Sequence, residues 1–191
     1  MSEAIRVDKR ITKTKNNLKY ALVKLLENQK VEDISIVELT KLANVNRKTF
    51  YLHYSEVSSV LREIENTTYE KVKNLICNFE LDQTTLEKFI FELFSIFVDD
   101  PYVFALMKYT PYSKTFTTIL DKLLIEEVNK KYVNITNTAV SSSLQYTIAY
   151  HVFGSVRLFY TWLKGSQNLD LKVFSKFLAT LVIKGAKGTF E

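Results

Sequence analysis

The sequence predicts an all-α protein, and two observations carry that prediction. Four Gly and two Pro punctuate all 191 residues, too few for the many tight turns of a sheet-rich fold. Apolar residues recur at helical spacing almost throughout. Leu18, Ala21, Leu22 and Leu25 make one stripe, and Leu86, Phe89, Ile90, Leu93, Phe94 and Phe97 make another.

A first helix is expected from about Asp8 or Thr12 to Asn28, its apolar stripe on Ile11, Leu18, Ala21, Leu22 and Leu25. The second is announced by a capping box. Ser35 caps, Glu38 follows three residues on, and Ile34 and Leu39 are spaced for a hydrophobic staple across the cap. It should end near Leu42, where Asn44 can take the left-handed backbone that a tight turn needs. A third helix repeats the grammar, with Asn46 as cap and Val45 and Phe50 as staple. A two-turn helix, a three-residue turn and a second short helix have helix-turn-helix spacing.

Further helices are expected over Glu56–Phe79 with Ser55 as cap, then Thr85–Val98, Tyr102–Lys108 and Tyr112–Lys131. Asp99-Asp100-Pro101 stops the Thr85 helix, because Pro restricts the residue before it. Two long segments close the chain. Thr138–Lys164 ends at Gly165; Leu171–Ile183 is capped by Asp170, stapled by Leu169 and Phe174, and ends near Gly185.

The chemistry concentrates in the third helix. With Phe50 and Tyr54 facing inward, Arg47, Lys48, Tyr51 and Leu52 point outward. Cations in a first helical turn oppose the macrodipole. They fit better with a phosphate or a guanine edge beside them. Tyr51, Thr49, Asn46 and His53 add short polar groups and rings of the kind that contact phosphates and bases. An ordinary basic surface helix is the competing reading. Charge distribution favours the first: residues 1–62 hold 12 Lys and Arg against 7 Asp and Glu, while the rest of the chain balances 14 against 14.

Other functions find little support. There is no P-loop, G-x-G-x-x-G, G-x-S-x-G or H-E-x-x-H, so neither enzyme activity nor a cofactor is expected. His53, His151 and Cys77 fall on three separate predicted helices without ligand spacing, so no metal is expected. Met1–Asn17 is polar and basic, no apolar run is long enough to span a membrane, and one cysteine excludes an internal disulfide. A cytoplasmic protein is expected.

The stretch Ile34–Leu61, ISIVELTKLANVNRKTFYLHYSEVSSVL, resembles the N-terminal domain of TetR-family (tetracycline-repressor-like) transcriptional regulators. Thr49-Phe50-Tyr51 falls at the family's distance after the Ala43-Asn44-Val45 turn. The resemblance implies base contacts from Arg47, Lys48, Tyr51 and Leu52, and phosphate contacts from Thr49, Tyr51, His53 and Ser35. Three residues depart from the pattern. Asn44 replaces a Gly, Thr40 replaces an Ala, and Val57 stands where a phosphate-binding Lys is usual.

The resemblance further implies a DNA-binding domain over residues 1–55 and a helical effector-binding and dimerisation domain over 56–191. The implied function is a dimeric, site-specific regulator, usually a repressor, on double-stranded DNA with a pseudo-palindromic operator. Its affinity would be set by a small-molecule effector or, alternatively, by a partner protein. Phe94, Phe97, Phe104, Tyr112, Phe116 and Tyr150 are candidate pocket residues, though aromatic stripes at this spacing are also plain core. Val152, Ser155, Phe159, Trp162, Phe174, Phe177 and Leu181 are candidate dimer contacts, with intrachain packing as the alternative. Gly154 is placed for a close helix approach.

Overall fold

The structure is a computed structural model that describes residues 2–80, 85–109, 122–127, 129–131, 133–134, 141–165 and 169–190. All regular structure among them is helical: α1 (Ser2–Leu26), a 3-10 turn (Val31–Asp33), α2 (Ile36–Leu42), α3 (Arg47–Tyr51), α4 (Val57–Asn78), α5 (Leu86–Val98), α6 (Pro101–Tyr109), α7 (Ser142–Lys164) and α8 (Leu171–Phe190). Residues 122–127, 129–131 and 133–134 are also helical; the rest of the expected Tyr112–Lys131 helix lies outside the described residues.

The helix ends follow local chemistry. Ser35 Oγ accepts from the Glu38 N–H at 3.1 Å and Asn46 Oδ1 from the Lys48 N–H at 2.8 Å, so both expected caps form. The reciprocal half of the capping box does not. The Glu38 carboxylate instead accepts from the Gln29 side-chain amide, Nε2, at 2.9 Å. Asn44 has φ 52°, the left-handed conformation the turn needs. α1 begins at Ser2, earlier than Asp8 or Thr12, because residues 2–11 contain no Gly or Pro to interrupt a helix. α4 starts at Val57, with the Ser55 hydroxyl 3.3 Å from that of Ser59. α8 runs through Gly185 to Phe190. No described glycine has a positive φ, so Gly185 does not supply the left-handed stop expected of it.

The chain forms two compact units, Met1–Thr67 with Pro101–Pro111, and Thr68–Asp100 with Tyr112–Glu191. The first is therefore larger than the expected 1–55 domain: it takes in the first half of α4 and the whole of α6. Its core joins Leu18, Leu22 and Leu26 of α1 to Leu39, Phe50, Val60 and Ile64, with Val103 and Leu106 of α6. α6 packs on α1, and the Tyr102 hydroxyl donates to the Asn16 carbonyl at 3.3 Å. In the second unit α5 packs on α8, and α8 on α7. Phe94 stacks on Phe159 at 3.9 Å, and Trp162 lies parallel to both Phe159 and Phe174.

Candidate nucleic-acid interface

α3 is held from behind and free in front. Phe50 is fully buried and Tyr54 nearly so, their rings 5.7 Å apart against the core of the N-terminal unit. The Tyr54 hydroxyl donates to Glu63 at 3.1 Å, and the same carboxylate accepts from Lys15 at 2.8 Å and pairs with Lys19 at 2.9 Å. Partial burial pushes the Glu63 pKa up. Hydrogen bonds from Lys15 and Lys19, the Lys19 charge and the Tyr54 hydroxyl outweigh it and hold the group down at about 2. Burial, then the Glu63 charge and hydrogen bond, push the Tyr54 phenol up, so it stays a donor. One carboxylate thus ties α1 and α4 to the residue that seats α3. Sequence reading missed it, because Glu63 lies 48 residues from Lys15.

The outward face matches the sequence expectation. Arg47 and Lys48 are exposed, and Tyr51 and Leu52 are 53% and 78% exposed. Thr49 and His53 are half-buried at the edges of that face. Lys15, Lys19, Lys24 and Arg62 are ion-paired, whereas among the described residues no carboxylate pairs with Arg47 or Lys48. Ser35 and Asn46 lend their side-chain oxygens to the caps; the Ser35 hydroxyl keeps its proton for an outside acceptor. Thr40, the residue in place of Ala, is buried and donates to Ile36 O at 2.7 Å and Val37 O at 3.2 Å, so it is satisfied within α2. Val57, in place of the usual Lys, is buried and offers a phosphate nothing.

Other residues of the N-terminal unit also reach the surface. Lys41 and Val37 are exposed on α2, and Lys9 and Lys13 line a shallow cleft on α1 with Thr12, Asn16 and Asn17. The Asn17 amide donates to the Ala43 carbonyl at 3.4 Å, which joins α1 to the turn before α3.

The C-terminal unit contains a cavity of about 250 Å³ with an almost wholly apolar lining. Of the candidate pocket residues, Phe94 lines it. Phe97 is buried outside its lining, Phe104 lies on α6 in the other unit, and Tyr150 is 74% exposed. Tyr112 and Phe116 lie outside the described residues. The physical reason is helix phase. α7 turns Leu144, Ile148, His151, Val152 and Val156 towards the cavity, while Tyr146 and Tyr150 take the solvent side.

The same phase sorts the candidate dimer contacts. Phe159 and Phe174 are buried within the chain, in the stack with Phe94 and Trp162. Trp162 Nε1 donates to the Leu169 carbonyl at 2.9 Å. Val152 and Ser155 line the cavity. Phe177 and Leu181 are 49% and 44% exposed and share a face of α8 with exposed Val173. Leu169, expected to staple onto Phe174, is instead exposed. Gly154 meets no described atom of its own chain within 4 Å of where a Cβ would stand; at Gly185 a Cβ would come within 2.6 Å of the His151 ring.

Among the described residues no group of His, Cys, Asp and Glu could hold a metal, and no helix is long and apolar enough to cross a membrane. No family model matches the chain, and no curated protein matches it in sequence. Solved structures do match. A TetR transcriptional regulator from Streptococcus agalactiae is 22% identical with a TM-score of 0.61, covering 94% of this chain and 99% of that one. NalD, the secondary repressor of the MexAB-OprM multidrug efflux pump of Pseudomonas aeruginosa, is 14% identical with a TM-score of 0.64, covering 93% and 97%. FadR from Bacillus subtilis, solved with stearoyl-CoA, is 18% identical with a TM-score of 0.59, covering 88% and 97%. From the helix-turn-helix to the last helix, this chain has the fold of the TetR-family transcriptional regulators.

Proposed function

We propose that this protein is a site-specific DNA-binding transcriptional regulator, a repressor acting in the cytoplasm, whose operator affinity is set by a small molecule in its C-terminal unit. The observation that carries the reading is α3: a short helix fixed by Phe50 and Tyr54, presenting Arg47 and Lys48 without ion-pair partners beside exposed Tyr51 and Leu52. Such a face is costly on a helix N-terminus in water and useful against a groove edged with phosphates. The regulator works as a homodimer, placing two copies of α3 in successive major grooves about 34–36 Å apart on a pseudo-palindromic operator.

The cavity supports control by a small molecule over control by a partner protein, which would need an exposed docking groove instead. Ile76 of α4 lines it, and α4 begins in the DNA-binding unit, so an occupant touches the helix that leads to α3. Effector and operator affinities are then reciprocally linked.

The test is selection of bound sites from random DNA, followed by titrations on the selected operator and on scrambled DNA. Arg47→Ala should weaken operator binding by about 1–3 kcal/mol and relax preference at one position per half-site. Thr49→Ala or Tyr51→Phe should instead weaken binding to every sequence. If Arg47→Ala leaves both affinity and preference unchanged, α3 is not the reading element.

A further inference from the structure

α3 is too short to hold its own orientation. It has five residues, where an isolated helix needs about 12–15 to be stable in water, so its placement comes from what it touches. Its near end is fixed by the turn from α2. There the Val45 N–H donates to the Thr40 carbonyl at 3.0 Å, and the Asn17 amide to the Ala43 carbonyl at 3.4 Å. Its inward side rests on Phe50, which is fully buried. Apolar contact is non-directional, so it opposes withdrawal of the helix more than rotation about the helix axis.

Rotation is opposed by Tyr54. This residue is joined to α3 through the backbone, because its own N–H and that of His53 both donate to the Phe50 carbonyl at 2.9 Å. Its hydroxyl donates to Glu63 Oε2 of α4 at 3.1 Å, and a hydrogen bond, unlike an apolar contact, has a required direction. The acceptor is itself held. Lys15 Nζ donates to the same oxygen at 2.8 Å and Lys19 Nζ pairs with Oε1 at 2.9 Å, so α1 engages both carboxylate oxygens. The Lys15 ammonium also lies 5.6 Å from the centre of the Tyr54 ring, within cation–π range. All four side chains belong to the N-terminal unit, and Glu63, with a pKa of about 2, is ionised at neutral pH.

Contacts to DNA differ in how much misplacement they tolerate. Reading a base edge requires a side chain within about 0.5 Å of its productive position. Phosphate contacts from flexible lysines follow the backbone and carry no sequence information. A loosened α3 therefore loses discrimination before it loses attraction to DNA.

We propose that Glu63 is a positioning residue for operator recognition. Through the Tyr54 hydroxyl it sets the rotation of α3, and so the aim of Arg47, Lys48, Tyr51 and Leu52, without contacting DNA itself. This role rests on the reading of α3 as the element that reads DNA.

The experiment titrates full-length wild type, Tyr54→Phe, Glu63→Gln and the double variant against the selected operator and against scrambled DNA. Tyr54→Phe is the cleanest probe, because it deletes one oxygen while keeping the ring and every formal charge. Each protein is titrated well below its thermal midpoint, measured by circular dichroism. Tyr54→Phe should bind operator about three- to tenfold more weakly, as loss of one hydrogen bond implies, and scrambled DNA within about twofold of wild type. Its salt slope on scrambled DNA should not change, since no phosphate contact is removed. Glu63→Gln, which also unpairs two lysines, should lower the ratio of operator to scrambled affinity at least as far. The double variant should fall no more than about twofold below Glu63→Gln, because both changes cut one path. Loss of folded protein lowers both affinities by the same factor, so equal losses on both DNAs would make the role merely structural and overturn the proposal. So would an unchanged ratio in either single variant, or a double variant whose loss is the product of the two. Where Glu63→Gln does not fold, the Tyr54→Phe ratio decides. A wild type with no preference for any selected site removes the DNA-reading role of α3 and this proposal with it. A wild type that discriminates, beside variants that discriminate as well, overturns positioning alone.

Discussion

At Glu63 three donors, Lys15, Lys19 and Tyr54, converge on one carboxylate in the N-terminal unit. Its pKa in the folded protein is about 2, below the unfolded value of 4.5, so the unfolded chain binds this proton first as pH falls. The stability it contributes is therefore complete above about pH 4.5 and is lost as pH drops towards 2. Glu63→Gln should destabilise the protein at pH 7 by on the order of 1–2 kcal/mol, since the site is partly solvated. Urea unfolding from pH 7 to pH 2.5 checks this: the gap between wild type and variant should narrow on the acid side, and a constant gap would mean that the charge is irrelevant. A second residue-scale contact is Gly185 against His151. An added Cβ would sit 2.6 Å from the ring, so Gly185→Ala should destabilise by about 1 kcal/mol or more with His151 present. With His151→Ala beside it, the same change should stabilise by about 0.5–1 kcal/mol, the usual gain of Ala over Gly in a helix. A double-mutant cycle by thermal unfolding reads the coupling directly.

Among the elements, α2 and α3 were legible because their signals are local. A cap and its N–H lie two or three residues apart, and Asn44 carries its turn in its own backbone. Asn46→Ala should accordingly cost about 0.5–2 kcal/mol, measured by chemical denaturation, and weaken operator binding by disordering the start of α3. α7 and α8 were legible as helices but not as faces. Both have apolar residues on more than one side, and a stripe alone does not say whether it meets its own chain or another. Burial divides them: Phe159 and Phe174 belong to the core, while Val173, Phe177 and Leu181 on α8 and Tyr146, Tyr150 and Phe153 on α7 are exposed. Apolar exposure on this scale on adjacent helices suits association with a second copy. Phe177→Asp should hence give a folded monomer where the wild type sediments near twice 22.2 kDa. Phe159→Asp should unfold the C-terminal unit, because it places a charge against Phe94 and Trp162. A wild-type monomer at micromolar concentration would refute the dimer.

Over the whole molecule the net charge of +5 comes from the first third of the chain. Exposed Lys9, Arg10 and Lys13 there should set how binding depends on salt. Removing one such phosphate contact should flatten the log–log slope by about one unit per half-site, equally on operator and scrambled DNA, and titrations at several salt concentrations measure it. The sequence by itself determined the helical class, the caps and turn of the helix-turn-helix, and the outward group Arg47, Lys48, Tyr51 and Leu52. Each depends on spacings of a few residues or on one helix's own periodicity. Only the tertiary structure decided that the N-terminal unit takes in half of α4 and all of α6, that Glu63 gathers Lys15, Lys19 and Tyr54, and that Phe97 and Tyr150 miss the cavity that Thr147, His151 and Ser155 line. Those outcomes depend on how far each helix is rotated against partners tens of residues away. Rotation by one position exchanges a cavity face for a solvent face while leaving the helical pattern unchanged.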